Sequence, residues 1–274
     1  MLTGNVQLSK KITTLLEKLS SYSIRLNGLA IPLASAETVL SGYTQSLVAV
    51  NDHDEFPISL VGSCVGLTYR GRDLILCTRH QLKGRDPESI ALLTDDGQYA
   101  ITSGGVRHFI DVNEYEFHDL AAFDFTEPCR EKPFLKRRFF NLTELPPDTA
   151  SDRIVCLIAS GYPYDDQSFE ERRIGYAKRI LLCVPDGPDQ YHDAGLMKLR
   201  AVNGFSFNPD GLSGGGAFVV QFVGSEPRAF FAGVITRAGS GYVHLVKAGF
   251  VSKFMDLWAK SSDQTFTGAS IGKA

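Results

Sequence analysis

Near residue 45 the hydrophobic period of the chain changes, and that change divides it. Over residues 8–20, Ile12, Leu15, Leu16 and Leu19 recur at helical spacing with lysines opposite, which predicts an amphipathic helix outside the main body. Residues 21–45 are irregular apart from a short helix expected over 35–41. From Gln45 onward the period is two. Residues 46–50 read as a strand, followed by the turn Asn51-Asp52-His53-Asp54. Residues 59–69 and 73–78 flank Arg70-Gly71-Arg72 and predict a β-hairpin. With its turn centred on Gly71-Arg72, Cys77 would face Gly66 and Cys64 would face Arg79, so the two thiols would not be cross-strand partners.

Shorter strand-like pieces follow at 89–93, 98–102, 105–111 and 117–125. Residues 126–150 then interrupt the alternation with Pro128, Pro146 and Pro147 and the basic residues Arg130, Lys132, Lys136, Arg137 and Arg138. This stretch reads as a connector with a solvated basic face. Alternation resumes at 153–159, 170–184, 196–202, 216–223, 228–237 and 241–245. Val251, Phe254, Met255 and Trp258 mark a closing amphipathic helix, and 261–274 reads as a loose tail. Many short strands with closely spaced turns indicate an all-β protein, a barrel or a sandwich.

Composition adds mainly exclusions. A chain of 274 residues with 43% hydrophobic content has room for one large all-β domain or two small ones. A net charge of −3 offers no field for nucleic acid or acidic membranes, so neither is expected as a partner. No apolar run approaches the ~20 residues of a membrane span. The first residues lack a basic stretch followed by an apolar core, so no secretory signal is expected. Five cysteines, an odd count without Cys-x-x-Cys spacing, suggest reduced, mostly buried thiols in a cytoplasmic protein. His108, His192 and His244 lack ligand-like spacing, and neither metal nor cofactor is expected.

The chemistry concentrates in residues 208–218, where Gly211, Gly214, Gly215 and Gly216 surround Ser213 and an apolar run follows. Glycines beside a hydroxyl allow positive φ and close approach by another backbone. A nucleophile needs both if its flanking amides must point at the carbonyl it attacks. Taken alone, such a stretch is more often a tight turn entering a strand. Two upstream residues change that reading: His80 at a strand end, and Asp119 in His118-Asp119-Leu120-Ala121. A serine hydroxyl needs a base, and a histidine serves only if a carboxylate fixes its tautomer.

In this order the chain resembles the chymotrypsin/trypsin-like serine peptidases, particularly bacterial proteins with a trypsin-like peptidase domain. The resemblance covers about residues 45–260. Gly62-Ser63-Cys64-Val65-Gly66-Leu67 with Leu74-Ile75-Leu76-Cys77-Thr78-Arg79-His80 looks like the strand, turn and strand before the catalytic histidine. Asp119-Leu120-Ala121 looks like the aspartate motif, and Ser160-Gly161-Tyr162-Pro163 like a segment early in the second barrel. Gly211-Leu212-Ser213-Gly214-Gly215 is similar to the nucleophile loop. The run from Ala232 to Arg237 looks like the strand that pairs with a bound peptide.

The resemblance implies two six-stranded antiparallel β-barrels, at 45–126 and 151–247, with a cleft between them. Residues 1–44 would form an N-terminal helical extension, 127–150 the connector, and 248–274 the C-terminal helix and tail. It implies His80 as base, Asp119 as its orienter, Ser213 as nucleophile, and the amides of Gly211 and Ser213 as the oxyanion hole. Asp111 and Asp124 compete with Asp119, and only the Leu-Ala that follows favours Asp119. By position, Phe207, Thr236, Arg237 and Ala238 would line the specificity pocket, with Phe207 at its base. The substrate would be a protein or peptide, with a regulatory protein partner as a further expectation.

Three positions depart from the pattern. Arg79 stands where a small residue is usual, Leu212 where an Asp or Asn is usual, and Gly216 where a proline often follows. Leu212 cannot accept an ammonium, so activation by clipping the N-terminus is not expected. The Gly-x-Ser-x-Gly match of residues 211–215 to the α/β-hydrolase elbow is rejected, because a strand-like run rather than a helix follows the serine. A degenerate fold that binds peptides without cutting them is the alternative from a different class.

Overall fold

The period-two segments pair into two antiparallel sheets in the computed structural model, which describes residues 22–54, 57–95, 97, 99–103, 106–108, 119–147, 153–170, 173–187 and 194–267. The helix expected over 8–20 lies outside them. The described chain enters with a hairpin, β1 (Ser23–Leu26) and β2 (Leu29–Pro32), and a short helix, α1 (Ala36–Ser41). The first sheet then holds β3 (Thr44–Val50), β4 (Ile58–Tyr69), β5 (Arg72–Thr78), β6 (Ile90–Leu93), β7 (Ala100–Thr102), β8 (Val106–His108) and β9 (Leu120–Asp124). Its described pairings run in the order β7-β6-β3-β4-β5-β9-β8.

After helix α2 (Thr126–Glu131), strand β10 (Phe140–Asn141) pairs in parallel with β4. The second half comprises β11 (Ile154–Gly161), the hairpin β12 (Gln167–Glu170) and β13 (Arg173–Tyr176), then β14 (Arg179–Pro185), β15 (Leu196–Ala201), β16 (Gly216–Val223), β17 (Glu226–Gly239) and β18 (Tyr242–Lys247). Strands β16-β11-β14-β15-β18-β17 run in that order, and a further β16–β17 pairing closes them into a six-stranded antiparallel barrel. Closure removes the free edges that such a sheet would otherwise expose. Helix α3 (Ala248–Thr267) follows. The all-β architecture with a C-terminal helix is therefore as the sequence indicates.

Period two explains where the core sits. On β5, Leu74 and Leu76 face the seam between the halves, while Ile75 and Cys77 face the interior of the first sheet. On β16, Phe218 and Val220 face the same seam, while Ala217 and Val219 fill the second barrel. Both faces of these strands are buried, so they read as continuous apolar runs rather than clean alternation. Val251, Phe254, Met255 and Trp258 of α3 pack into the seam, as their helical spacing predicts. Phe140 meets Tyr43 and Phe218 there, each at a ring-centroid distance of 5.3 Å. These contacts hold the two halves in register, and hence any groups that face each other across the cleft.

Four expectations need correction. First, the helix expected over 35–41 is present as α1, but residues 23–32 are neither helical nor irregular: β1 pairs with β2 and, in parallel, with β17, so the hairpin extends the second sheet. Second, the β4–β5 turn centres on Arg70-Gly71, both with positive φ (49° and 79°), a two-residue turn whose twist suits the flanking strands. Tyr69 therefore pairs with Arg72 and Gly66 with Ile75, not Cys77. Extending that register sets Cys64 opposite Cys77, and both are free thiols. Third, residues 127–150 are not simply a solvated connector. Leu135, Phe139, Phe140 and Leu142 are buried, and so is Arg138 at 8% exposure. Fourth, α3 continues to Thr267 into the stretch expected as tail.

Candidate active site

His80 lies in a 3-10 turn, Arg79–Leu82, that ends β5, and Asp119 directly precedes β9. Strands β5 and β9 pair antiparallel, with Thr78 opposite Leu120, so the register itself brings His80 to Asp119. His80 Nδ1 lies 2.6 Å from Asp119 Oδ2, and the His80 backbone N–H donates to Asp119 Oδ1 at 3.0 Å. This two-point contact fixes both the turn and the ring. With Nδ1 carrying the proton toward the carboxylate, Nε2 keeps its lone pair. Arg79 is exposed, so the unusual side chain does not disturb packing behind the histidine.

Ser213 sits in the β15–β16 connection, in a loop built from two consecutive turns. Leu212 N donates to Pro209 O at 3.0 Å, and Gly215 N donates to Leu212 O at 3.0 Å. Tyr164 N holds Asp210 O at 2.9 Å. The carbonyls of the peptides preceding Gly211 and Ser213 are thus both held in place. Because those peptides are trans, the N–H groups of Gly211 and Ser213 point the opposite way. Among the described residues neither N–H has an acceptor, which is the arrangement an incoming oxyanion requires.

Gly211 has φ +101°, and a Cβ there would stand 2.5 Å from Tyr162 O. Gly214 has φ +84°, and a Cβ would stand 2.0 Å from Ser63 O. No side chain fits at either place, so these glycines are fixed by backbone geometry. Leu212, between the two, is fully buried in the core of the second barrel.

The Ser213 hydroxyl donates to Thr236 O at 2.9 Å rather than to His80. Thr236 is the residue at which the β17–β18 register shifts, a bulge between Ile235 and Arg237. Bulges re-aim the backbone, and here the Thr236 carbonyl turns toward the serine.

His80, Asp119, Gly211, Ser213, Thr236, Arg237 and Ala238 all line one cleft of about 750 Å³. Phe207, expected at the base of a specificity pocket, does not line it. Its ring packs against the second-barrel core, 5.7 Å from the Phe205 ring and 5.3 Å beneath the Arg179 guanidinium.

Three residues that sequence reasoning did not single out hold the site together. Buried Ser63 donates its hydroxyl to Gly211 O at 2.6 Å and accepts from Tyr162 N at 2.7 Å. Gln81 accepts from Thr78 N and Thr78 Oγ1 at 2.9 and 2.6 Å, and donates to Ser213 O at 2.7 Å. Tyr164 lines the cleft and donates its hydroxyl to Val61 O at 2.6 Å. Among the described residues no group of three or more His, Cys, Asp or Glu could hold a metal ion, and no helix is long and apolar enough to cross a membrane.

No protein-family model matches the chain, and neither does any curated protein. Among solved structures, the chain is similar to the crystal structure of the Rv3671c protease from Mycobacterium tuberculosis in its active form. The match covers 82% of this chain and 86% of that one, at 13% identity and a TM-score of 0.45.

Proposed function

We propose that the chain is a serine endopeptidase of the chymotrypsin-like kind, acting on protein or peptide substrates through His80, Asp119 and Ser213. The observation that carries this reading is the clasp of His80 by Asp119 at two points in the same cleft as Ser213 and two unengaged amides. His80 Nε2 takes the Ser213 proton as Oγ attacks the substrate carbonyl carbon. The oxygen that becomes negative is received by the N–H groups of Gly211 and Ser213, worth about 3–4 kcal/mol of barrier for each such donor. His80 then hands the proton to the leaving amine, leaving an acyl group on Ser213. Water, deprotonated by the same imidazole, hydrolyses it. Asp119 holds the tautomer and stabilises the imidazolium between these transfers. No step requires a cofactor. Thr236, Arg237 and Ala238 border the substrate side chain, and the buried thiols accord with a reducing, cytoplasmic setting.

The test is labelling by a fluorophosphonate probe together with cleavage of a peptide library. Ser213 should be the modified residue, and Ser213→Ala should lose labelling and cleavage by on the order of 10⁴–10⁶ while keeping its fold. Wild-type cleavage by the variant would refute the assignment. One observation favours a second reading, a peptide-binding module without turnover: the Ser213 hydroxyl rests on Thr236 O and not on His80. Peptide binding without probe labelling would select it.

A further inference from the structure

A second cavity, of about 730 Å³, lies between the start of β3, the β6–β7 turn and the β12–β13 hairpin, and shares no lining residue with the cleft. Its wall carries three cations, Arg137, Arg138 and Lys178, against one carboxylate, Asp95. Both guanidiniums pair with that single carboxylate. Among the described residues the Lys178 ammonium donates only to a carbonyl, Ser41 O, at 2.7 Å. Burial draws its pKa down, as it does for an ammonium held without a counter-charge. Tyr176 Oη, on the hairpin side, is buried with no hydrogen-bond partner among the described residues. An orphaned donor beside surplus positive charge is costly unless something fills the space.

We propose that this cavity binds a small molecule carrying a phosphate monoester, held by Lys178, the two arginines and the Tyr176 hydroxyl. A phosphate monoester carries close to two negative charges at neutral pH, matching the excess of cations over the carboxylate, and presents three acceptor oxygens. The volume exceeds that of a bare ion and falls in the range of small-molecule sites, about 300–1,000 Å³.

The wall also reaches the Ser213 loop on two sides, by two hydrogen bonds on one and by one on the other. Tyr162 N donates to Ser63 Oγ, which in turn holds Gly211 O. Thr44 Oγ1 accepts from Gly216 N at 3.1 Å. A ligand that fixes Tyr162 and Thr44 therefore favours the ordered loop. This coupling rests on the peptidase reading; the binding does not.

The experiment is calorimetric titration of the full chain with inorganic phosphate, phenyl phosphate and, as control, acetate. Phenyl phosphate should bind more tightly than phosphate, and acetate should not bind. Lys178→Met should weaken phosphate binding at least tenfold, Tyr176→Phe roughly threefold, and Lys178→Arg should retain it even if the methionine variant folds poorly. Equal binding by acetate, or unchanged binding by folded Lys178→Met, overturns the site. Ser213→Ala should bind as the wild type does. Phenyl phosphate should also speed fluorophosphonate labelling of Ser213, and binding with no change in rate overturns the coupling. Binding to a protein that never labels supports the cavity and counts against the peptidase reading.

Discussion

Gln81 Nε2 donates to the carbonyl oxygen of Ser213 at 2.7 Å, tying the turn that carries the base to the loop that carries the nucleophile. The other end of the same amide accepts from Thr78 N and Oγ1, at the close of β5. One buried side chain thus spans the cleft floor and fixes the two loops relative to each other. Gln81→Glu keeps the acceptor for Thr78 and loses the donor, setting a carboxylate oxygen against Ser213 O and leaving that carbonyl only the longer bond from Ser63 N at 3.3 Å among the described residues. We expect the variant to fold, to lose about 1–3 kcal/mol of stability in denaturant titration, and to show kcat lowered roughly tenfold with KM little changed. A rise in KM alone would assign Gln81 to substrate binding instead.

Asp119→Asn retains an acceptor for the His80 amide but no longer stabilises an imidazolium or selects the Nδ1–H tautomer. On the proposed mechanism kcat should fall by about 10⁴ at neutral pH. Stability should change little, since the pair is half-exposed on the histidine side. Steady-state kinetics and a thermal melt on the same preparation separate the two effects.

The thiols should be silent in the native protein. Burial pushes Cys183 from 9.0 up to about 12, and Cys64 and Cys77 are raised by burial as well. A thiol reagent at pH 8 should find few reactive groups before denaturation and five after it. Cys183 keeps its proton in the folded state, whereas the unfolded chain releases it near 9.0. Its contribution to stability is therefore full below that pH and declines as pH rises toward about 12. Urea midpoints that rise through this window would contradict the argument.

Leu212 is fully buried against the second-barrel core, so the position before Ser213 offers no carboxylate for a newly freed ammonium to meet. The intact chain should therefore be the active species on a peptide substrate. Intact-mass analysis of active protein decides the matter: activity that appears only after loss of an N-terminal fragment would refute it.

The strands around the site were legible because β16 and the β4–β5 hairpin are long apolar runs bounded by turn glycines. The β1–β2 hairpin was overlooked although Asn27-Gly28, with φ of 49° and 83°, is a strong local turn signal. Its strands are four residues each and mostly exposed, too short to display a period. Neither Gln81 nor Ser63 carried a signal of its role. They act on backbone carbonyls 132 and 148 residues away, and a carbonyl has no residue identity to read. Phe207 was misplaced because distance along the chain from the serine says nothing about which way a loop side chain turns.

The pairing of β1 with β17 also bears on how the chain is made. Arg25 donates to Glu226 across 201 residues of sequence, so the first described strand emerges from the ribosome long before its partner exists. At about 5–20 residues per second the wait is on the order of ten to forty seconds. Throughout that time the hairpin presents open backbone edges that invite pairing with other chains. Closure of the second barrel and docking of the β1–β2 hairpin both wait for β17. A nascent chain stalled before Glu226 would have neither, which makes the interval before β17 is synthesised the stage at which this fold is most exposed to aggregation.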